Sequence, residues 1–281
     1  MKKLSLHKIV IKVLYLFFCI FIFSTPFMNI NAMSENTFSE GNELNENYLK
    51  NVSVDDMAVN GINRSKVAFL TFDDGPSPNN TRKILNILKE NNVKATFFVV
   101  GANAEANPEI LKEMKNSGMC ILPHCYSHSY TSIYNTADSY FNDLNKCIDV
   151  IKRITGNTPP PYTRMPGGSD NSVPKPENLR TIRNKLNAKG IDYVDWNVSS
   201  GDAEAETVPT SSIKGNIFNQ CRDKNFAVVL MHDGYYKVTT VEALPYTIKY
   251  LKDNGFQFRT FSDVSAWERG TMLRIGVMNR R

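Results

Sequence analysis

The sequence predicts an α/β fold in which parallel strands carry helices on their outer side. Three observations lead there. From Lys66 onward, short apolar runs alternate with segments of helical period, the rhythm of successive βα units. Gly118, Gly190 and Gly255 each stand between a helix-like segment and the next apolar run, where a left-handed C-cap belongs. Chemically loaded residues also gather at the downstream ends of five apolar runs. Loops leaving the carboxyl ends of parallel strands share one face of a sheet or barrel, so residues distant in sequence can meet there.

Taken in order, strands are expected near 66–72, 94–100, 119–122, 161–164, 191–196, 226–231 and 256–260. The first runs into Asp73-Asp74-Gly75-Pro76, the third into His124 and His128, and the fourth into Arg164-Met165-Pro166-Gly167-Gly168. The fifth runs into Asp195-Trp196, and the sixth through Leu230 into His232-Asp233. Helices are expected near 79–91, 107–117, 137–154, 175–189, 209–223 and 241–253. Ile84, Leu85 and Leu88 have helical spacing, and Asn107-Pro108 supplies a cap with proline at the first helical position.

The length of 281 residues accommodates one large domain. Residues 1–32 read as an export signal: Lys2, Lys3, Lys8 and Lys12 precede an apolar stretch, and Ile30-Asn31-Ala32 offers a cleavage position. An uncleaved membrane anchor is the alternative. Residues 33–64 are polar and poor in aromatics, as in a flexible linker. The location expected is therefore secreted or extracytoplasmic, beside a cell wall or membrane surface. Without the four signal lysines the net charge of +5 falls to +1; residues 33–60 carry −5, leaving about +6 from Gly61 onward. No dense Lys/Arg run accompanies this surplus, which argues against a nucleic-acid partner. It suits an anionic envelope polymer as well as an ordinary solvated surface. Cys120, Cys125, Cys147 and Cys221 show no dense framework, so no bridge is expected. Nothing implies an oligomer.

His124 and His128, four apart, with Asp73 or Asp74, make a two-histidine, one-carboxylate metal set that leaves positions open for water and substrate. The second aspartate is then available to move a proton, although an Asp-Gly-Pro turn alone is common. Arg164 beside a carboxylate would hold its orientation, and the N–H groups of the glycine loop suit a developing oxyanion. Trp196 and His232 taken singly read as core residues; their value lies in combination. An iron oxygenase would use the same metal set but leaves Asp73, Arg164 and His232 without a task.

Thr71-Phe72-Asp73-Asp74-Gly75-Pro76, His124-x-x-x-His128, Arg164-x-Pro166-Gly167-Gly168, Asp195-Trp196 and Leu230-Met231-His232 resemble, in order and approximate spacing, the motifs of the polysaccharide deacetylases, the NodB-homology enzymes of carbohydrate esterase family 4. The resemblance covers about residues 65–265. It implies a distorted (β/α) barrel and metal-dependent removal of acetyl groups from N-acetylated sugars, with a catalytic domain over 65–267 and a short basic tail over 268–281. Carried over by position, Asp74, His124 and His128 hold one divalent metal, zinc first, with cobalt or nickel as alternatives. Asp73 is the general base, oriented by Arg164, and His232 is the general acid, tuned by Asp195. Trp196 and Leu230 line the acetyl pocket, and the Gly167 N–H is the oxyanion donor at a position the family often fills with tyrosine.

Cys125 stands where the family carries serine or threonine, and Leu122-Pro123 replaces its usual Gly-Asn. Coordination by Cys125 is not expected, because a side chain adjacent to His124 points away from the pocket. The substrate expected first is peptidoglycan N-acetylglucosamine. Chitin oligosaccharide, exopolysaccharide, muramic acid residues and acetylxylan are alternatives, as is a non-catalytic carbohydrate-binding relative, which would be expected to have lost Asp73 or His232.

Overall fold

A computed structural model describes residues 66–280; the expected signal and linker lie outside the described residues. In chain order the first elements are β1 (Lys66–Asp73), α1 (Thr81–Glu90), β2 (Thr96–Val100), α2 (Gly101–Ala106), α3 (Pro108–Asn116), β3 (Cys120–Cys125), α4 (Tyr130–Ile133) and α5 (Ala137–Thr155). There follow β4 (Tyr162–Thr163), α6 (Pro176–Ala188), β5 (Asp192–Tyr193), β6 (Val198–Ser199), α7 (Thr210–Cys221), β7 (Phe226–His232), α8 (Val238–Asp253), β8 (Phe256–Arg259) and α9 (Ala266–Arg274). The ladders between these strands are all parallel. One sheet runs β3-β2-β1-β7-β6, with β8 beside the start of β1, and β4 and β5 form a second. The Thr163 hydroxyl donates to the Pro123 carbonyl at 2.9 Å and ties the second sheet to β3.

β1 is the centre because both its faces are covered, as an apolar parallel strand requires. The pleat separates its side chains by period two. Ala68, Leu70 and Phe72 face the helices, in one core cluster with Leu85 and Leu88 of α1 and Leu244 and Ile248 of α8. Val67 and Phe69 face inward, in a second cluster with Phe98, Leu122, Val228 and Phe261. The same alternation places Leu122 of β3 and Phe226 and Val228 of β7 on the inner face. No helix among the described residues is long and apolar enough to cross a membrane.

Two features differ from expectation. The run at 191–196 is not one strand. The amide of Asp195 donates to the Val277 carbonyl at 2.7 Å, and Val194 bridges Met278, so the distal chain wedges between β5 and a separate β6. The segment 268–281, expected as a tail, is instead integrated through its described residues. Ser265 and Glu268 form a capping box for α9, and Met272, Val277 and Met278 are buried in the inner cluster. Three apolar side chains, at roughly 1.5–3 kcal/mol each when fully buried, suffice to hold the segment in the domain.

Candidate active site

Period two carries the inner face from core into chemistry. Thr71 and Asp73 continue the series begun by Val67 and Phe69, His124 continues that of Cys120 and Leu122, and His232 continues that of Phe226 and Val228. Core packing therefore delivers Asp73, His124 and His232 to one opening. Asp74 and His128 reach it by another route. Apart from two asparagines, they are the non-glycine residues at positive φ among the described residues, at +77° and +54°. Such backbone costs about 1–3 kcal/mol per residue and persists where surrounding contacts enforce it. For His128, the Asp143 carboxylate on α5 supplies such a contact, accepting from the amides of Tyr126 at 2.5 Å and Ser127 at 3.1 Å.

Asp74, His124 and His128 each offer a ligand atom, and these lie within 4.8 Å of one another. The Nε2 atoms of His124 and His128 stand 3.5 and 3.1 Å from Asp74 Oδ1. That buried oxygen nevertheless has no hydrogen-bond partner. His124 explains part of this. Its Nδ1 lies 2.8 Å from the Arg164 carbonyl, an acceptor, so Nδ1 carries the proton of the neutral ring. Burial holds the pKa of His124 below its ordinary value, against the pull of Asp73 and Asp74, which favours that neutral form. Its Nε2 therefore turns a lone pair towards a carboxylate, an arrangement that a cation between them would satisfy. Burial opposes the charge on Asp74, yet the histidines around it hold its carboxyl well below the usual range. The donor set fits a divalent metal.

Asp73 is held by a buried guanidinium. Arg164, fully buried, donates from Nη1 to Asp73 Oδ1 at 2.9 Å and to the Thr71 hydroxyl at 2.7 Å. Its Nε and Nη2 donate to the Val194 and Asp195 carbonyls, each at 3.0 Å, and its plane lies 4.3 Å from the Phe98 ring centroid. With five contacts fixing it, the guanidinium has little freedom to release Asp73.

His232 is partnered by Asp202, a residue absent from the expected set. Nδ1 of His232 lies 2.7 Å from Asp202 Oδ1, and its amide donates to Oδ2 at 2.8 Å. The Thr240 hydroxyl donates to the same oxygen at 2.8 Å, and Lys237 Nζ to the Asp202 carbonyl at 2.7 Å. Burial disfavours the imidazolium, but the Asp202 hydrogen bond and charge, with Asp74 and Asp73 behind them, raise His232 to about 9. Asp195, expected in that role, accepts instead from Ser169, at 2.9 Å from its amide and 2.6 Å from its hydroxyl. Its carboxylate thus anchors the Gly167-Gly168 loop. The difference has a physical cause: Asp195 lies outside β5, tied to the Val277 carbonyl, and the carboxylate beside His232 comes instead from the loop that follows β6.

Eight of the ten residues expected in the site line a cavity of about 520 Å³, namely Asp73, Asp74, His124, His128, Gly167, Trp196, Leu230 and His232. Arg164 and Asp195 lie behind it. Tyr130 joins the lining, its ring perpendicular to His128. A Cβ on Gly167, at φ +78°, would come within 3.1 Å of the Tyr130 ring, so Tyr130 occupies the neighbourhood that a side chain at 167 would need. Cys125 is on the other face, buried with Ile133, Tyr134 and Tyr140, and burial pushes its thiol well above the ordinary value. All four described cysteines are free.

Comparison with known proteins identifies the family. The family profile "Polysaccharide deacetylase" matches residues 60–194. Two Bacillus cereus proteins named peptidoglycan-N-acetylglucosamine deacetylase are similar. One is 32% identical over 207 residues, 71% of each chain; the other is 36% identical over 203 residues, 70% of this chain and 67% of that one. The crystal structure of the catalytic domain of a peptidoglycan N-acetylglucosamine deacetylase from Eubacterium rectale superposes with a TM-score of 0.67 at 35% identity, covering 72% of this chain and 91% of that one. The chain belongs to the polysaccharide deacetylase family and has its α/β fold.

Proposed function

We propose that this protein hydrolyses the acetamido group of N-acetylglucosamine residues in peptidoglycan, releasing acetate outside the cytoplasm, and that it does so with zinc held by Asp74, His124 and His128. The observation that carries the metal is the His124 tautomer, which aims a lone pair at an unpartnered carboxylate oxygen. The names of the Bacillus cereus relatives support the polymer and its extracytoplasmic setting. Cobalt or nickel would suit the same donors.

When bound, the metal supplies Lewis acidity to the attacking water and to the amide carbonyl. Asp73, oriented by Arg164, takes the proton of the water as it attacks. The Gly167 N–H faces the carbonyl oxygen as charge develops there. Trp196 and Leu230 exclude water around the acetyl methyl. His232 begins protonated and gives its proton to the departing amine; Asp202 keeps it so. Asp195 acts on the loop bearing Gly167 and not on the proton.

The test is acetate release from peptidoglycan, chitin oligosaccharide, a muramic acid glycan and acetylxylan, before and after chelation. Chelation is expected to abolish release, and zinc or cobalt to restore it, with peptidoglycan the best substrate. Full activity in a verified metal-free sample overturns the metal assignment; faster release from another polymer overturns the substrate.

A further inference from the structure

A second cavity, of about 770 Å³, lies behind the Gly167–Ser169 loop. Its lining includes Arg180, Arg183, Arg274 and Arg280, with Asn184 and Asn187, and no acidic residue. On α6 the residues Arg180, Arg183, Asn184 and Asn187 recur at the spacing of one helix face. Arg274 ends α9, and Arg280 follows it. Arg280 is already engaged: its Nη1 donates to Asp170 Oδ2 at 2.6 Å and its Nε to the Gly276 carbonyl at 3.0 Å. Arg180, Arg183 and Arg274 form no ion pair among the described residues. Elsewhere on the surface, Arg82, Arg153 and Arg269 each have a carboxylate. Among the described residues Arg183 has only the Ser169 and Arg280 carbonyls, at 3.4 and 3.5 Å, and Arg274 only the Thr271 hydroxyl, at 3.5 Å, so three guanidinium groups without a carboxylate gather around one concavity.

We propose that this cavity binds a segment of a polyanion carrying repeated phosphodiester groups, so that the enzyme docks on a charged polymer while its other pocket works on a neutral glycan. Guanidinium forks match phosphate oxygens in pairs, and the cavity has room for more than one anionic group. One carboxylate would engage one or two of the three forks that lack an acid and leave the remainder repelling each other. The unbonded amides of Asn184 and Asn187 suit hydroxyls between the phosphates. The positive surplus from Gly61 onward thus has a local address.

The probe is a synthetic glycerol-phosphate oligomer, titrated into the purified full chain at several salt concentrations. Binding is expected to weaken steeply with salt, because each neutralised phosphate releases counterions. The Arg180→Gln/Arg274→Gln variant alters two exposed side chains outside the catalytic pocket. It should keep the wild-type melting temperature and rate on chitin oligosaccharide, bind the oligomer at least tenfold more weakly, and show a salt slope smaller by about one to two. Unchanged affinity and slope in that variant overturn the proposal. So does tighter wild-type binding to poly-γ-glutamate, which would indicate carboxylate recognition, or binding confined to phosphatidylglycerol vesicles, which would make the cavity a lipid-headgroup site.

Discussion

The two sides of the catalytic pocket use the same pairing in opposite senses. On the Asp73 side a buried cation, Arg164, donates to a carboxylate and fixes its orientation. On the His232 side a carboxylate, Asp202, holds an imidazole on to its proton. The first pair is buried at the end of the central strand; the second joins a strand end to a loop and remains partly open. Each of the two groups proposed to move a proton therefore has a partner of the opposite charge. The contrast also assigns different failures to the two sides: an uncompensated charge inside the core on one, a moved titration on the other.

Asp73→Asn attacks that division most directly. It should lower turnover by about 10²–10⁴-fold while leaving metal content intact, the range for loss of a general base. Asp74→Asn should lose metal as well. Metal analysis beside kcat separates them, and equal metal loss in both would mean that the two aspartates share the ligand role.

Arg164→Met tests the buried pair by stability. Removing one partner of a buried ion pair costs about 3–5 kcal/mol, because the other charge is left uncompensated. Urea unfolding should register that loss, and a change under 1 kcal/mol would show that Asp73 does not depend on the guanidinium.

On the other side, Asp202→Asn should move the alkaline limb of kcat/KM. In the wild type His232 stays protonated until pH rises through about 9; without the Asp202 hydrogen bond and charge its pKa should fall towards the ordinary 6.5. Activity of the variant at pH 8 should then fall by roughly thirtyfold relative to wild type, with little difference below pH 6. The stability linkage has the same sign. A raised folded-state pKa contributes fully below 6.5 and is lost as pH rises through about 9, so the variant should lose less stability than wild type across that window. An unmoved limb would assign the proton to another group.

The smallest effect is expected at Cys125, which faces neither side. Cys125→Ser should retain metal and at least a tenth of the activity, about 1.4 kcal/mol at most. A metal-free Cys125→Ser protein would contradict the inward-outward alternation on β3.

That alternation also explains what could be read from the sequence. The parallel βα order, the six main helices and the strand-borne Asp73, His124 and His232 follow from periods of 2 and 3.6. Asp74 and His128 were accessible because Asp-Asp-Gly-Pro and HxxxH mark turns as well as ligands. Asp202 and Asp143 were not. Asp202 follows a two-residue strand too short to carry a period, and Asp143 sits on a long helix where a carboxylate reads as solvent-facing. The distal segment was misread because its basic composition hides Met272, Val277 and Met278. Tertiary contacts, rather than local pattern, decide such positions.

Those distal residues have a consequence for how the protein is made. Val277 and Met278 hold Asp195 and Val194 in place, and Asp195 in turn anchors Ser169 beside Gly167. During vectorial synthesis the candidate metal ligands Asp74, His124 and His128 leave the ribosome long before the strands that complete their pocket. A nascent chain lacking residues 277–280 would expose the inner faces of β5 and β7 with nothing wedged beside them. Parallel pairings of such long separation form slowly and are open to misassociation until closed. The active-site loop therefore depends on contacts made by the distal chain, although its own sequence lies in the middle.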